Sequence, residues 1–129
     1  MVVAYPSADA IIELNRRAIE TIKVKKADRH RVLSRGRIDI VLKETEACDG
    51  DTYDMAETLL KGLVEMPHSF DSANRRTAFL AAMSFLEMNG ETALVKPDPR
   101  VLLGIRQHFY SDSEIKEWLK GNAIRPFER

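Results

Sequence analysis

The chain has 129 residues and a mass of 14.7 kDa, enough for one hydrophobic core and too little for two. Its residues are 44% hydrophobic and 31% charged, the composition of a folded globular chain rather than a disordered one. Twenty Lys and Arg balance twenty Asp and Glu, so net charge singles out no partner, and a lone cysteine, Cys48, excludes an intramolecular disulfide and a cysteine zinc cluster.

These features lead us to expect a reducing, cytoplasmic setting. The first six residues carry neither a basic stretch nor an apolar run of signal-peptide kind. The longest apolar run, 78–83, is far short of the roughly 20 residues that span a membrane. No repeat or Pro/Gly/Ser linker interrupts the chain, so a single domain over 1–129 is expected.

In chain order the pattern is helical. Ser7 can cap a helix that turns Ile11, Leu14, Ala18 and Ile22 to one side. Residues 16–37 then hold nine basic and two acidic residues, and residues 38–57 hold one basic and seven acidic. The two blocks suit solvated faces, mutual pairing, or an anion-binding role for the basic one. The stretch 24–37 breaks the helical period and contains Gly36, so it reads as a loop with room for a short hairpin. It lacks the interleaved aromatics of a nucleic-acid binder, and no nucleic-acid partner is expected.

Ile38, Val41, Leu42 and Thr45 resume the helical spacing, with Gly50 as the stop. Asp51 or Thr52 caps the next helix, which turns Tyr53, Ala56, Leu59, Leu60 and Leu63 inward and ends by Pro67. From about Ala73 to Asn89 runs a helix that is apolar almost all round, the mark of a buried central element, with Gly90 closing it. Asp98 and Pro99 begin a helix reaching about Phe109. Ser111 and Glu114 form a capping box for a last helix, closed by Gly121. The expected fold is all-α, a compact bundle of about six helices around one buried helix.

The chemistry gathers where that apolar helix begins. The segment reads Pro67-His68-Ser69-Phe70-Asp71-Ser72-Ala73-Asn74-Arg75-Arg76-Thr77-Ala78. A helix N-terminus presents free N–H groups and partial positive charge, a natural seat for phosphate. Ala73 is small enough for close approach, Arg75 and Arg76 add cationic forks, and His68 stands in the loop as a candidate general base. Two arginines in a first turn oppose the helix dipole, a local conflict that points to function. Phe70 reads as a core anchor for the loop, and Asn74 as a side chain that bonds loop backbone.

This string resembles the signature of the Fic/Doc family, in its Doc (death-on-curing) branch, whose pattern runs His-x-Phe-x-Asp/Glu-Gly/Ala-Asn-Gly/Lys-Arg. His68, Phe70, Ala73, Asn74 and Arg76 match at the right spacing. Thr77-Ala78, Phe85-Leu86-Glu87-Met88-Asn89-Gly90 and the Arg35-to-Leu42 stretch are also similar. The resemblance implies a Fic/Doc-like helical bundle with the motif at the start of its central helix. It implies a toxin enzyme that uses ATP or another nucleoside triphosphate to modify a Ser or Thr of a cellular protein. In the Doc branch the group moved is a phosphoryl and the target plausibly a translation elongation factor, with a separate antitoxin as a further partner. His68 would be the catalytic base. Ser72, Ala73, Asn74, Arg75 and Arg76 would line the phosphates, and a flap within 24–37 would clamp the target.

The chain departs from the pattern in three places. The family's Mg²⁺-binding acid is Ser72 here, with Asp71 the nearest carboxylate. Either Asp71 takes over, Ser72 binds metal through its hydroxyl, or the protein is a catalytically impaired module that binds nucleotide or a partner. Arg75 replaces Gly or Lys. The second arginine of nucleotidylating members is Phe79, which favours phosphoryl over nucleotidyl transfer.

Overall fold

The computed structural model describes residues 2–21 and 28–128. Among them the chain forms six helices and no extended strand: α1 (Ala8–Thr21), α2 (Arg35–Glu46), α3 (Thr52–Val64), α4 (Asn74–Met88), α5 (Pro99–Arg106) and α6 (Asp112–Leu119). None is long and apolar enough to cross a membrane.

Side chains visible in the sequence fix most helix starts. Ser7 Oγ accepts from the Ala10 N–H at 3.1 Å, and Asp98 accepts from Arg100 and Val101 ahead of Pro99. Ser111 and Glu114 form the expected capping box, and Asp51 forms a second one with Asp54. Such caps satisfy N–H groups that the helix itself leaves open, typically for about 1 kcal/mol each.

Several boundaries differ from the sequence reading. Arg35, Gly36 and Arg37 are helical, not loop, because Ser34 Oγ accepts from the Arg37 N–H and starts α2 early. That helix ends at Glu46 instead of running to Gly50, with the Ala47 N–H returning to Lys43. α3 stops at Val64, since Glu65 is already extended, so Pro67 bounds the loop rather than the helix. α5 stops at Arg106, ahead of His108, which takes a left-handed φ of 59°. Ile22, Lys23, Lys25 and Lys26 lie outside the described residues. The described part of the basic stretch forms no hairpin with itself; Val32 bridges antiparallel to Phe70 instead.

The core is continuous through Ile11, Ile38, Val41, Leu59, Leu60, Phe85, Leu86, Ile115 and Leu119. Its centre is a pair of helices. α3 packs against α2, α4, α5 and α6, while α4 packs against α1, α3 and α5. α4 is buried over most of its length, as expected of the central helix, with Leu80 and Met88 37% and 44% exposed. The apolar circumference of α4 exceeds what its neighbours cover, even with Phe79 set against Trp118 of α6. α3 occupies the middle because it is small where helices cross. A Cβ at Gly62 would stand 2.7 Å from Val41 Cγ1, on a fully buried side chain of α2. Gly62→Ala is therefore expected to push α2 from α3 and cost about 1–3 kcal/mol, read by urea denaturation.

Candidate functional site

The loop 65–73 delivers the chain into α4, and Phe70 anchors it. Its ring is 1% exposed within the core. Asn74 clamps the same residue from one turn later. Asn74 Oδ1 accepts from the Phe70 N–H at 3.1 Å, and Asn74 Nδ2 donates to the Phe70 carbonyl at 2.8 Å. Leaving either buried backbone group unpaired costs about 1–3 kcal/mol. The Asn74 side chain thus has the backbone-bonding job expected of it, which leaves only its main-chain N–H for a ligand.

Ala73 makes the turn into the helix with φ 62° and ψ 30°, left-handed backbone that costs a residue with a Cβ about 1–2 kcal/mol. No side chain caps this end, whereas side chains cap α2, α3, α5 and α6. The first helical bond of α4 is Thr77 N–H to the Ala73 carbonyl at 2.9 Å. The N–H groups of Asn74 and Arg75 have no acceptor among the described residues.

The basic stretch is bound onto this loop. The N–H groups of Leu33 and Ser34 donate to the Ser69 carbonyl at 2.8 and 3.1 Å, and the Asp71 N–H donates to the Arg31 carbonyl at 3.0 Å. The Arg29 Nε lies 3.5 Å from Asp71 Oδ2, and its backbone N–H lies 3.4 Å from Ser72 Oγ.

Underneath sits Asn15 of α1, which is fully buried. Its Nδ2 donates to the Ser72 carbonyl at 2.9 Å and to Thr77 Oγ1 at 3.0 Å, and its Oδ1 accepts from His30 Nδ1 at 2.8 Å. One amide therefore ties together α1, the basic stretch and the start of α4. Asn15→Leu strands all three partners and is expected to cost about 2–4 kcal/mol. Urea denaturation checks the loss, and hydrogen exchange at 69–77 should rise with it.

The two arginines separate. Arg76 turns to α1: its Nη1 donates to the Ala18 carbonyl at 3.2 Å, and its Nη2 meets Asp28 at 3.1 Å. It joins the end of α1 to the basic stretch, and a ligand phosphate would compete with Asp28 for it. Arg75 makes no hydrogen bond or ion pair among the described residues and is half-buried. Burial, then Arg106 and then Arg76, hold its pKa below the ordinary arginine value. Arg106 comes from the last turn of α5. His68 is half-buried too, and burial, then Arg106, then Arg75 hold it below 6.5. Its imidazole is accordingly neutral at pH 7 and able to accept a proton. The result is a histidine within the field of Arg75 and Arg106 close to an uncapped helix end, an electrostatic setting that favours an anion.

The residues present do not fit a protein-held Mg²⁺. That ion takes near-octahedral oxygen ligands, chiefly carboxylates and phosphates. Ser72 offers a neutral hydroxyl that already accepts a hydrogen bond, and Asp71 is paired with Arg29. Among the described residues no group of three or more His, Cys, Asp or Glu is arranged to hold a metal ion.

No protein-family model matches this chain, and no curated protein matches it.

Of the residues singled out from sequence, Phe70, Asn74, Ala73, Ser72 and Asp71 share one bonded loop, and His68 and Arg75 share one field of positive charge. Arg76 is turned toward α1. Sequence reasoning missed Arg106, Asn15, His30 and Asp28. A polar Asn15 one turn from Ile11, on the face meant for the core, is the one signal that was available.

Proposed function

We propose that the chain is a Doc-like toxin enzyme that transfers a phosphoryl group from a nucleoside triphosphate to a Ser or Thr hydroxyl of a cellular protein. The observation that carries the reading is the convergence of neutral His68, Arg75 and Arg106 on the uncapped start of α4, within a string that matches the Doc signature. The N–H groups of Asn74 and Arg75 hold the transferred phosphate. Arg75 and Arg106 offset the charge on its oxygens, as fixed cations do in phosphoryl transfer. His68 takes the proton of the target hydroxyl as that oxygen bonds to the γ-phosphorus. The bond from the γ-phosphorus to the β,γ-bridging oxygen breaks, and the nucleoside diphosphate leaves. The basic stretch 28–34, docked along 69–72, is positioned to border the target segment. A translation elongation factor is the target class the resemblance suggests, and a separate antitoxin the restraining partner, with action in the cytoplasm.

A second reading is a module that binds nucleotide or a partner without catalysis. It is favoured by Ser72, whose hydroxyl is engaged where the family has its metal acid.

The two are separated by incubating a cell lysate with the protein and either γ- or α-labelled ATP or GTP. Label on a protein from the γ position alone supports phosphoryl transfer. Label from the α position alone means nucleotidyl transfer, with the γ-label lost in pyrophosphate, and no label in any lane leaves the binding module.

A further inference from the structure

Beyond α6 the segment 122–128 runs without helix and comes back against α5. Three hydrogen bonds tie it there. Arg100 Nη2 donates to the Phe127 carbonyl at 2.8 Å, Tyr110 Oη donates to the Arg125 carbonyl at 2.9 Å, and Arg125 Nη2 donates to the Phe109 carbonyl at 2.6 Å. The Arg125 guanidinium also lies over the Phe109 ring, 3.9 Å from its centroid, and pairs with Glu114. Phe127 is the apolar anchor of the segment, buried, with its ring centroid 5.1 Å from that of Phe109.

That anchor rests on Gly104. A Cβ there would stand 3.1 Å from Phe127 Cγ and 2.4 Å from Tyr110 Cε2, so both rings lie against bare α5 backbone. Gly104 belongs to the same last turn as Arg106, two residues on. α5 has eight residues, fewer than the roughly 12–15 at which an isolated helix becomes even marginal in water, so its place is set by what packs on it. Val101, Leu102 and Ile105 fix it to the core, and Tyr110 and Phe127 press on it at Gly104. We propose that Phe127 is a positioning residue for the anion site: seated on Gly104, it holds the last turn of α5 where the Arg106 charge reaches the start of α4, a role that rests on the phosphate-site reading above. Phe127 acts through Arg106 and itself needs no contact with the nucleotide.

The test uses the full chain with Phe127→Ala, Phe127→Leu, Arg106→Ala and the double variant Phe127→Ala/Arg106→Ala. The first readout needs no nucleotide: the titration of the His68 imidazole followed by NMR. Arg106→Ala takes away a neighbouring cation and should raise the pH at which His68 titrates. Phe127→Ala should raise it in the same direction, and Phe127→Leu, which refills much of the seat, by less. The double variant should titrate like Arg106→Ala alone, as a residue acting through Arg106 requires. The second readout is ATP affinity by calorimetry, which Phe127→Ala should weaken by about 2–30-fold, the range for a residue that acts without touching the ligand. Should Phe127→Ala fail to fold, Phe127→Leu carries the same comparison. A His68 titration that the Phe127 variants leave at the parental pH would overturn the proposal, as would a Phe127 effect that persists in full without Arg106. A parent that binds no ATP would overturn the phosphate reading instead, while the His68 titration still decides whether Phe127 sets Arg106.

Discussion

Replacing His68 by alanine is expected to lower transfer to the protein target by about 10²–10⁴-fold while nucleotide affinity stays nearly as in the parent. The separation follows from the roles. Phosphate is held by main-chain N–H groups and arginines, and the imidazole acts on a proton of the other substrate. The pH profile carries a second signature. Burial and the charges of Arg106 and Arg75 hold the His68 pKa below 6.5, so the base stays neutral further into acid than a free imidazole. The acid limb of transfer by the parent should therefore lie at lower pH than that of a free imidazole, and His68→Ala should lose that limb. Equal transfer by the two proteins would remove His68 from the chemistry.

Glu57→Gln is expected to change how stability depends on pH. Burial first, then the proton-sharing contact and charge of Asp112, push the Glu57 carboxyl from 4.5 up to about 8. Asp54 on the same helix adds to the rise, Lys61 opposes it, and Arg37 and Glu44 of α2 line a surface cavity together with Glu57. A carboxyl whose folded pKa is raised holds its proton more tightly in the folded state. Its contribution is fully present below pH 4.5, declines as pH rises, and is gone above about 8. The limit is roughly 1.4 kcal/mol per pH unit, and because the group borders a solvent-open cavity of about 280 Å³ we expect on the order of 2–3 kcal/mol in all. Glutamine keeps the shape and the donated hydrogen bond without titrating. The variant should lose this slope and exceed the parent in stability at pH 9, as read by urea denaturation across pH. Parallel pH curves for the two proteins would contradict this, showing that Glu57 titrates alike in the folded and unfolded states.

Helix identity was legible because it depends on local signals: apolar spacing, and the caps Ser7, Asp51, Asp98 and Ser111. The start of α2 was not, since Arg35-Gly36-Arg37 has no apolar period and only the Ser34 hydroxyl makes it helical. α4 was legible as a central helix from its apolar content. The place of α3 beside it was not, because it is decided by who can approach, and Gly62 lets α2 come close to α3. In the site, the anchor Phe70 and the clamp Asn74 follow from residue type and position. The fate of the arginines does not. Arg75 and Arg76 look alike in sequence, but a helix turns adjacent residues by about 100°, which sends Arg76 to the end of α1 and Arg75 toward α5. Arg106 lies 31 positions beyond Arg75, and only the packing of α5 on α4 links them.

The claim that the start of α4 holds nucleotide phosphates is tested most directly by calorimetry of ATP and GTP binding to the parent, Arg75→Ala and Arg106→Ala. Each arginine contributes a hydrogen bond to a charged oxygen, worth about 1.5–3 kcal/mol, so each variant should bind roughly 10–100-fold more weakly. Tight nucleotide binding that both variants retain unchanged would contradict the account, as would a parent that binds neither nucleotide.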